Sequence, residues 1–146
     1  MSANRPSLIV NIVLKNSVKE MMKNKILKTG ENSEYFTEEG CFILEMWNTP
    51  EDDEVSIARA RVRPGVTTVL HRLKDTVERY VIMEGTGLVE VGDLPPAEVE
   101  SGDVVIIPPA ILQRITNTGN QDLIFLCICT PRFVAEKYET MTNLPP

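Results

Sequence analysis

GVTTVLHRLKDTVERYVIMEG, residues Gly65 to Gly85, carries the pattern from which the rest of the chain can be read. Its two glycines bracket two short branched aliphatic runs separated by Lys74-Asp75, the form of two strands joined by a turn. A strand period of two puts His71 and Leu73 on one face of the first run. It puts Glu78, Tyr80 and Ile82 together on one face of the second, with Arg72 and Arg79 pointing away. If the runs pair, an imidazole and a carboxyl share one interior face. An apolar interior accepts them only when they bond each other, a metal or a ligand. A buried His71–Glu78 pair with no further role is the alternative that spacing alone leaves open.

Outward from this segment the same texture continues. Strands are expected over 41–47, 55–62, 67–73, 78–83, 88–91, 104–107, 112–116 and 123–129, separated by Pro64-Gly65, Glu84-Gly85, Gly92-Asp93, Pro95-Pro96, Gly102-Asp103, Pro108-Pro109 and Gly119-Asn120. Many short strands at this spacing read as an all-β sandwich or barrel. In Ser56 to Val62 the alternation offers either Ser56, Ala58, Ala60 and Val62 or Ile57, Arg59, Arg61 and Arg63 to the interior. Burying arginines costs far more than burying alanines, so the alanines face inward and leave room for a ligand. The arginines are left for surface carboxylates or an interface. Thr68 stands beside His71 only if a bulge intervenes.

Before Gly40 the chain differs. Residues 1–30 hold six basic side chains against Glu20 alone, a net +5 that leaves the other 116 residues at −11 out of the total of −6. Ser17 and Glu20 have the form of a capping box, followed by Val18, Met21, Met22 and Ile26 at helical spacing, which predicts a short helix over 17–27. Its lysines read as a solvated face. Asn143-Leu144-Pro145-Pro146 reads as a frayed tail.

The 146 residues and 42% apolar content suit one domain with a sizeable core. Net negative charge argues against nucleic acid as the main partner. Leu8 to Leu14 is interrupted by Asn11 and supports neither a signal peptide nor a membrane span, and the expected address is cytoplasmic. Cys41, Cys127 and Cys129 form no CxxC pair and read as reduced thiols, small buried hydrophobes rather than ligands. His71 is the one histidine, which excludes centres built on two or three histidines of one chain.

These residues resemble the cupins, whose motifs are G-x5-H-x-H-x4-E-x6-G and G-x5-P-x-G-x2-H-x3-N. The first stands here as Gly65, His71, Leu73, Glu78 and Gly85, the second as Gly102, Pro108, Ala110, Gln113 and Asn117. Seven of the ten positions keep the expected residue; Leu73, Ala110 and Gln113 depart. The resemblance implies a double-stranded β-helix, a jelly-roll barrel, with a short N-terminal helix added here. It divides the chain into an extension over 1–39, a barrel over 40–134 and a tail over 135–146, and implies a homodimer with a small-molecule ligand. Cupins that hold metal usually supply three histidines and a glutamate. With Leu73 and Gln113 in two of those places, His71, Glu78 and Gln113 would form a weak, oxygen-rich site for a divalent metal (Mn, Mg, Fe, Ni or Zn), or none. Dioxygenase chemistry is demoted accordingly.

Without metal, His71 becomes a general acid or base, Glu78 holds its tautomer, and Tyr80 offers a second proton donor or simply fills core volume. Ala58, Ala60, Leu73 and Ile82 would line the pocket. The expected function is proton transfer or isomerisation on a small polar metabolite, a sugar, sugar acid or keto acid. The alternative is a ligand-binding or sensory cupin without a reaction.

Overall fold

The computed structural model describes residues 22–141. Its strands are β1 (Tyr35–Phe36), β2 (Phe42–Trp47), β3 (Ser56–Val62), β4 (His71–Leu73), β5 (Val77–Glu84), β6 (Thr86–Val91), β7 (Ala97–Glu100), β8 (Val104–Ile107), β9 (Gln113–Asn117), β10 (Leu123–Thr130) and β11 (Tyr138–Thr140). They form two sheets, one in the order β1-β2-β3-β10-β5-β8 and the other β11-β4-β9-β6-β7. Every pairing between these strands is antiparallel, and the arrangement is the double-stranded β-helix, or jelly roll.

Alternation decides which side chains enter the core. Along β5, Glu78, Tyr80 and Ile82 are buried while their neighbours are not; along β9 the same holds for Gln113, Ile115 and Asn117. Val62, Ile82, Ile107, Ile115 and Leu123 are no more than 2% exposed. Each such side chain contributes about 1.5–3 kcal/mol through removal from water. On β3 the alanines turn inward as expected. Arg59 and Arg61 lie outside, both on Glu34, with Arg61 also 3.1 Å from Asp122.

The polar ends of the two glycine-bounded motifs are structural. Gly65 donates its backbone N–H to the carbonyl of Asn117 at 3.0 Å. The Asn117 side chain donates to the Val62 and Gln121 carbonyls and accepts from the Gly119 N–H, holding the turn between β9 and β10. At Gly85, φ is +83° and an added Cβ would stand 2.8 Å from the Asp122 carbonyl oxygen, so the residue must be glycine.

Two expectations fail here. The helix over 17–27 is not formed in its described part: residues 22–30 carry no regular structure, and 17–21 lie outside the described residues. Ile26 is 86% exposed, so among the described residues nothing covers the proposed apolar face. Lys25 instead ties the segment down, 3.0 Å from Glu51 and over the Trp47 ring. A short helix without tertiary packing is marginal in water. The strand expected over 67–73 is regular only from His71. Before that, Thr67 makes an isolated bridge to Thr116, Thr68 N–H donates to Ile115, and Val69 N–H donates to Glu39. The backbone here serves two different partners and bends between them.

Pairing also extends beyond the segments that read as strands. β1, β7 and β11 were not expected as strands, and β11, inside the segment read as a tail, closes the open edge of β4. The frayed end expected at 143–146 lies outside the described residues. Among the described residues no helix is long and apolar enough to cross a membrane.

Candidate functional site

His71 sits at the start of β4, opposite Gln113 on β9 and Thr140 on β11, with 2% of its surface exposed. Its Nδ1 is 2.7 Å from the carbonyl oxygen of Val69. A carbonyl only accepts, so Nδ1 carries the proton and Nε2 holds the free lone pair of the neutral ring. Nε2 lies 3.4 Å from Oε1 of Glu39, in the turn between β1 and β2. The same glutamate's backbone carbonyl accepts the Val69 N–H at 2.9 Å, so one turn fixes both the backbone before His71 and the group facing its ring. Tyr138 of β11 stacks on the imidazole, centroids 5.0 Å apart and planes 25° from parallel.

Burial works on both members of this pair. It lowers the His71 pKa, against an opposing pull from the Val69 carbonyl and from Glu78. It raises the Glu39 carboxyl to about 7. The imidazole therefore favours its neutral form, while the carboxyl exchanges its proton near neutrality.

Glu78, Tyr80 and Gln113 form a second group. The Gln113 amide donates to Glu78 Oε1 and accepts from the Tyr80 hydroxyl, and Cys129 Sγ donates to Glu78 Oε2 at 3.7 Å. Burial raises Glu78 above the ordinary carboxylate range, with the Gln113 bond and His71 pulling it back. Burial also pushes the Tyr80 hydroxyl well above its ordinary value. The expected arrangement changes in one respect: Glu78 makes no hydrogen bond to His71, and the tautomer is set by the Val69 carbonyl.

A cavity of about 340 Å³ opens between these two groups. His71, Glu78, Tyr80, Ala58, Ala60 and Leu73 line it. Ile82 does not; it points to the same side as Tyr80 but lies one repeat further along β5, in the packed core. Gln113 does not line it either. It is fully buried, with each end of its amide engaged.

This bears on the metal. Leu73 offers no donor, Gln113 has both ends of its amide engaged by Glu78 and Tyr80, and among the described residues no three His, Cys, Asp or Glu side chains are placed to hold an ion. The donors present do not fit the divalent metal that the cupin resemblance implies. Nor do Cys41, Cys127 and Cys129 act as thiolates here. All three line the cavity, and burial is the leading cause raising each thiol, Cys41 to about 12.

Glu39 and Tyr138 escaped the sequence reading. Glu39 closes the segment read as an N-terminal extension, and Tyr138 stands in what reads as a tail. Only the pairing of β1 with β2 and of β11 with β4 brings them to His71.

A jelly roll with its polar groups gathered in an interior pocket defines the class: a single-domain cupin barrel. Residues 58–129 match the cupin domain family, and an uncharacterized protein of Methanocaldococcus jannaschii is 35% identical over 125 residues, covering 83% of this chain and 99% of that one. The chain belongs to the cupin superfamily. Solved structures with the same fold include an uncharacterized double-stranded β-helix protein of Klebsiella pneumoniae (14% identity, 81% of this chain and 97% of that one, TM-score 0.65). A predicted oxalate decarboxylase of Thermotoga maritima is similar over 73% of this chain and 99% of its own, at 21% identity and TM-score 0.66. The Streptomyces nucleoside dehydratase Pac13 is similar over 80% and 92%, at 13% identity and TM-score 0.65.

Proposed function

We propose that the chain is an enzyme that moves a proton on a small metabolite bound in this cavity, with His71 Nε2 as the acid–base atom and Glu39 as its proton partner. One observation carries the reading: Nδ1 is committed to the Val69 carbonyl, which leaves Nε2 facing Glu39 at 3.4 Å inside the cavity. An imidazole that burial biases toward its neutral form leaves Nε2 free to take a proton from a substrate, and a carboxyl raised to about 7 can hold or release one near neutral pH. Proton removal next to a carbonyl, as in isomerisation or elimination, needs little more than this pair and a pocket that excludes water. Cupins among the structural neighbours include a protein named as a nucleoside dehydratase, so the fold accommodates small-molecule chemistry. Glu78, held by Gln113 and Cys129, supports the wall of the site.

The test is hydrogen–deuterium exchange at carbon in a panel of small carbonyl metabolites, followed by NMR. The wild type is expected to catalyse exchange in at least one member. His71→Gln is expected to reduce the rate by about 10²–10⁴-fold, the usual range for loss of a general acid or base. Exchange that survives His71→Gln would overturn the assignment of Nε2. Tight binding of a metabolite with no exchange in the wild type would make the chain a binding protein instead.

A further inference from the structure

Apart from the imidazole, every acidic or basic side chain of Asp, Glu, Lys or Arg type that lines the cavity is a carboxyl. Glu38 and Glu45 stand exposed at its rim, Glu39 and Glu78 lie deeper, and among the described residues no lysine or arginine lines it. The nearby arginines are committed elsewhere. Arg59 and Arg61 lie on the outer face of β3 against Glu34, Arg72 is held by Glu139, and Arg79 donates to Thr130. A carboxylate or phosphate entering this space would meet four carboxyl groups and, at most, one imidazolium.

The Glu39 carboxylate adds a second observation. Its one hydrogen-bond or ion-pair contact among the described residues is the 3.4 Å approach to His71, and it otherwise borders the cavity. Glu78, by contrast, has both oxygens engaged. Thr37, Asn48 and Ser56 add neutral polar groups, and most of the remaining lining is apolar or aromatic, including Ile43, Leu73, Phe125, Phe133, Tyr35 and Tyr138. Aromatic faces beside carboxylates suit an organic cation, which gains from ring quadrupole and carboxylate together. A bare metal ion is not served, because the donors do not converge.

We infer that the cavity takes a small organic amine, its ammonium group against Glu38, Glu39 and Glu45 and its apolar body against Phe125, Phe133 and Tyr138. The inference rests on the cavity being the substrate site proposed above, and it names the charge and character of that substrate. Sugar acids and keto acids, expected from the family resemblance, are the wrong sign for this lining.

Three probes of one shape and different charge decide the matter: benzylamine, benzyl alcohol and benzoate, titrated into the full chain by calorimetry at pH 7.5. Benzylamine is expected to bind at least about tenfold tighter than the alcohol and about a hundredfold tighter than benzoate, since like charges at close quarters are strongly penalised. The double variant E38Q/E45Q, which alters only exposed rim residues, is expected to shrink the amine's advantage several-fold and leave alcohol binding unchanged. Equal binding of amine and alcohol, preference for benzoate, or no binding of the amine at millimolar concentration each overturns the inference. Only binding is read, so an amine preference without carbon–proton exchange would remove the proposed reaction and keep the amine. Exchange without an amine preference would do the reverse.

Discussion

At the residue scale, the carboxyl of Glu39 stores a testable conflict. Burial lifts its pKa from 4.5 to about 7, so between those values the folded chain keeps a proton that the unfolded chain has released. Stability at this position is intact below pH 4.5, falls as pH rises to about 7, and is flat above. The shift corresponds to a loss of roughly 3 kcal/mol across the window. Glu39→Gln has no proton to lose. It should match the wild type near pH 4.5 and exceed it by about 2–3 kcal/mol at pH 8.5, measured by urea unfolding at both values. His71, whose pKa is lowered by burial, gives the opposite slope below its ordinary 6.5, which is why the difference between variant and wild type is the quantity to follow. A difference that does not change with pH would show that Glu39 ionises freely in the folded chain.

At the scale of elements, the turn between β8 and β9 departs from the cupin pattern in a way its backbone records. Ala110 stands where the second motif has glycine, and its φ is +64°. Its N–H donates to the Leu73 carbonyl at 2.7 Å, which ties this turn to the end of β4 and so to the strand that bears His71. An L-residue with a Cβ pays about 1–2 kcal/mol in the left-handed region, while glycine gives back part of that through its freer unfolded chain. Ala110→Gly should therefore raise stability by about 0.5–1 kcal/mol in urea unfolding without altering ligand binding. A loss of stability would mean the Ala110 methyl makes contacts that outweigh the backbone strain.

Legibility in the sequence also divides along elements. Strands with strict alternation, such as β5 and β3, could be placed together with the correct inward face, because a period of two leaves only two choices and one of them buries charge. Alternation names a face but not a depth along the barrel, and for that reason Ile82 was expected in the pocket and is found in the packed core. Gln113 was legible as an interior residue and illegible as a partner for Tyr80 and Glu78, since its engagement depends on three strands meeting. Glu39 and Tyr138 come to His71 from outside the alternating region altogether, through pairings with partners distant in sequence. No local pattern encodes those contacts.

Across the whole molecule, the interior is divided into a packed part and a hollow one. Val62, Ile82, Ile107, Ile115 and Leu123 fill the first, while the second is bounded by β1, β2, β3, β4, β5, β10 and β11 and keeps small side chains, Ala58 and Ala60, where large ones would close it. Stability and ligand capacity should therefore respond to opposite substitutions. Ile115→Ala removes volume from the packed part and should cost about 2–5 kcal/mol, as large-to-small core changes do. Ala58→Leu adds volume where there is already space. It should leave stability unchanged or raise it by about 0.5–2 kcal/mol, as cavity filling commonly does, while abolishing binding of any ligand that the wild type holds. Urea unfolding of both variants, with ligand titration of the second, checks the two halves of this expectation. If Ala58→Leu were instead strongly destabilising, the hollow would be too rigid to accept three more carbons, and the small residues of β3 would be explained by packing against its neighbours rather than by room for a ligand.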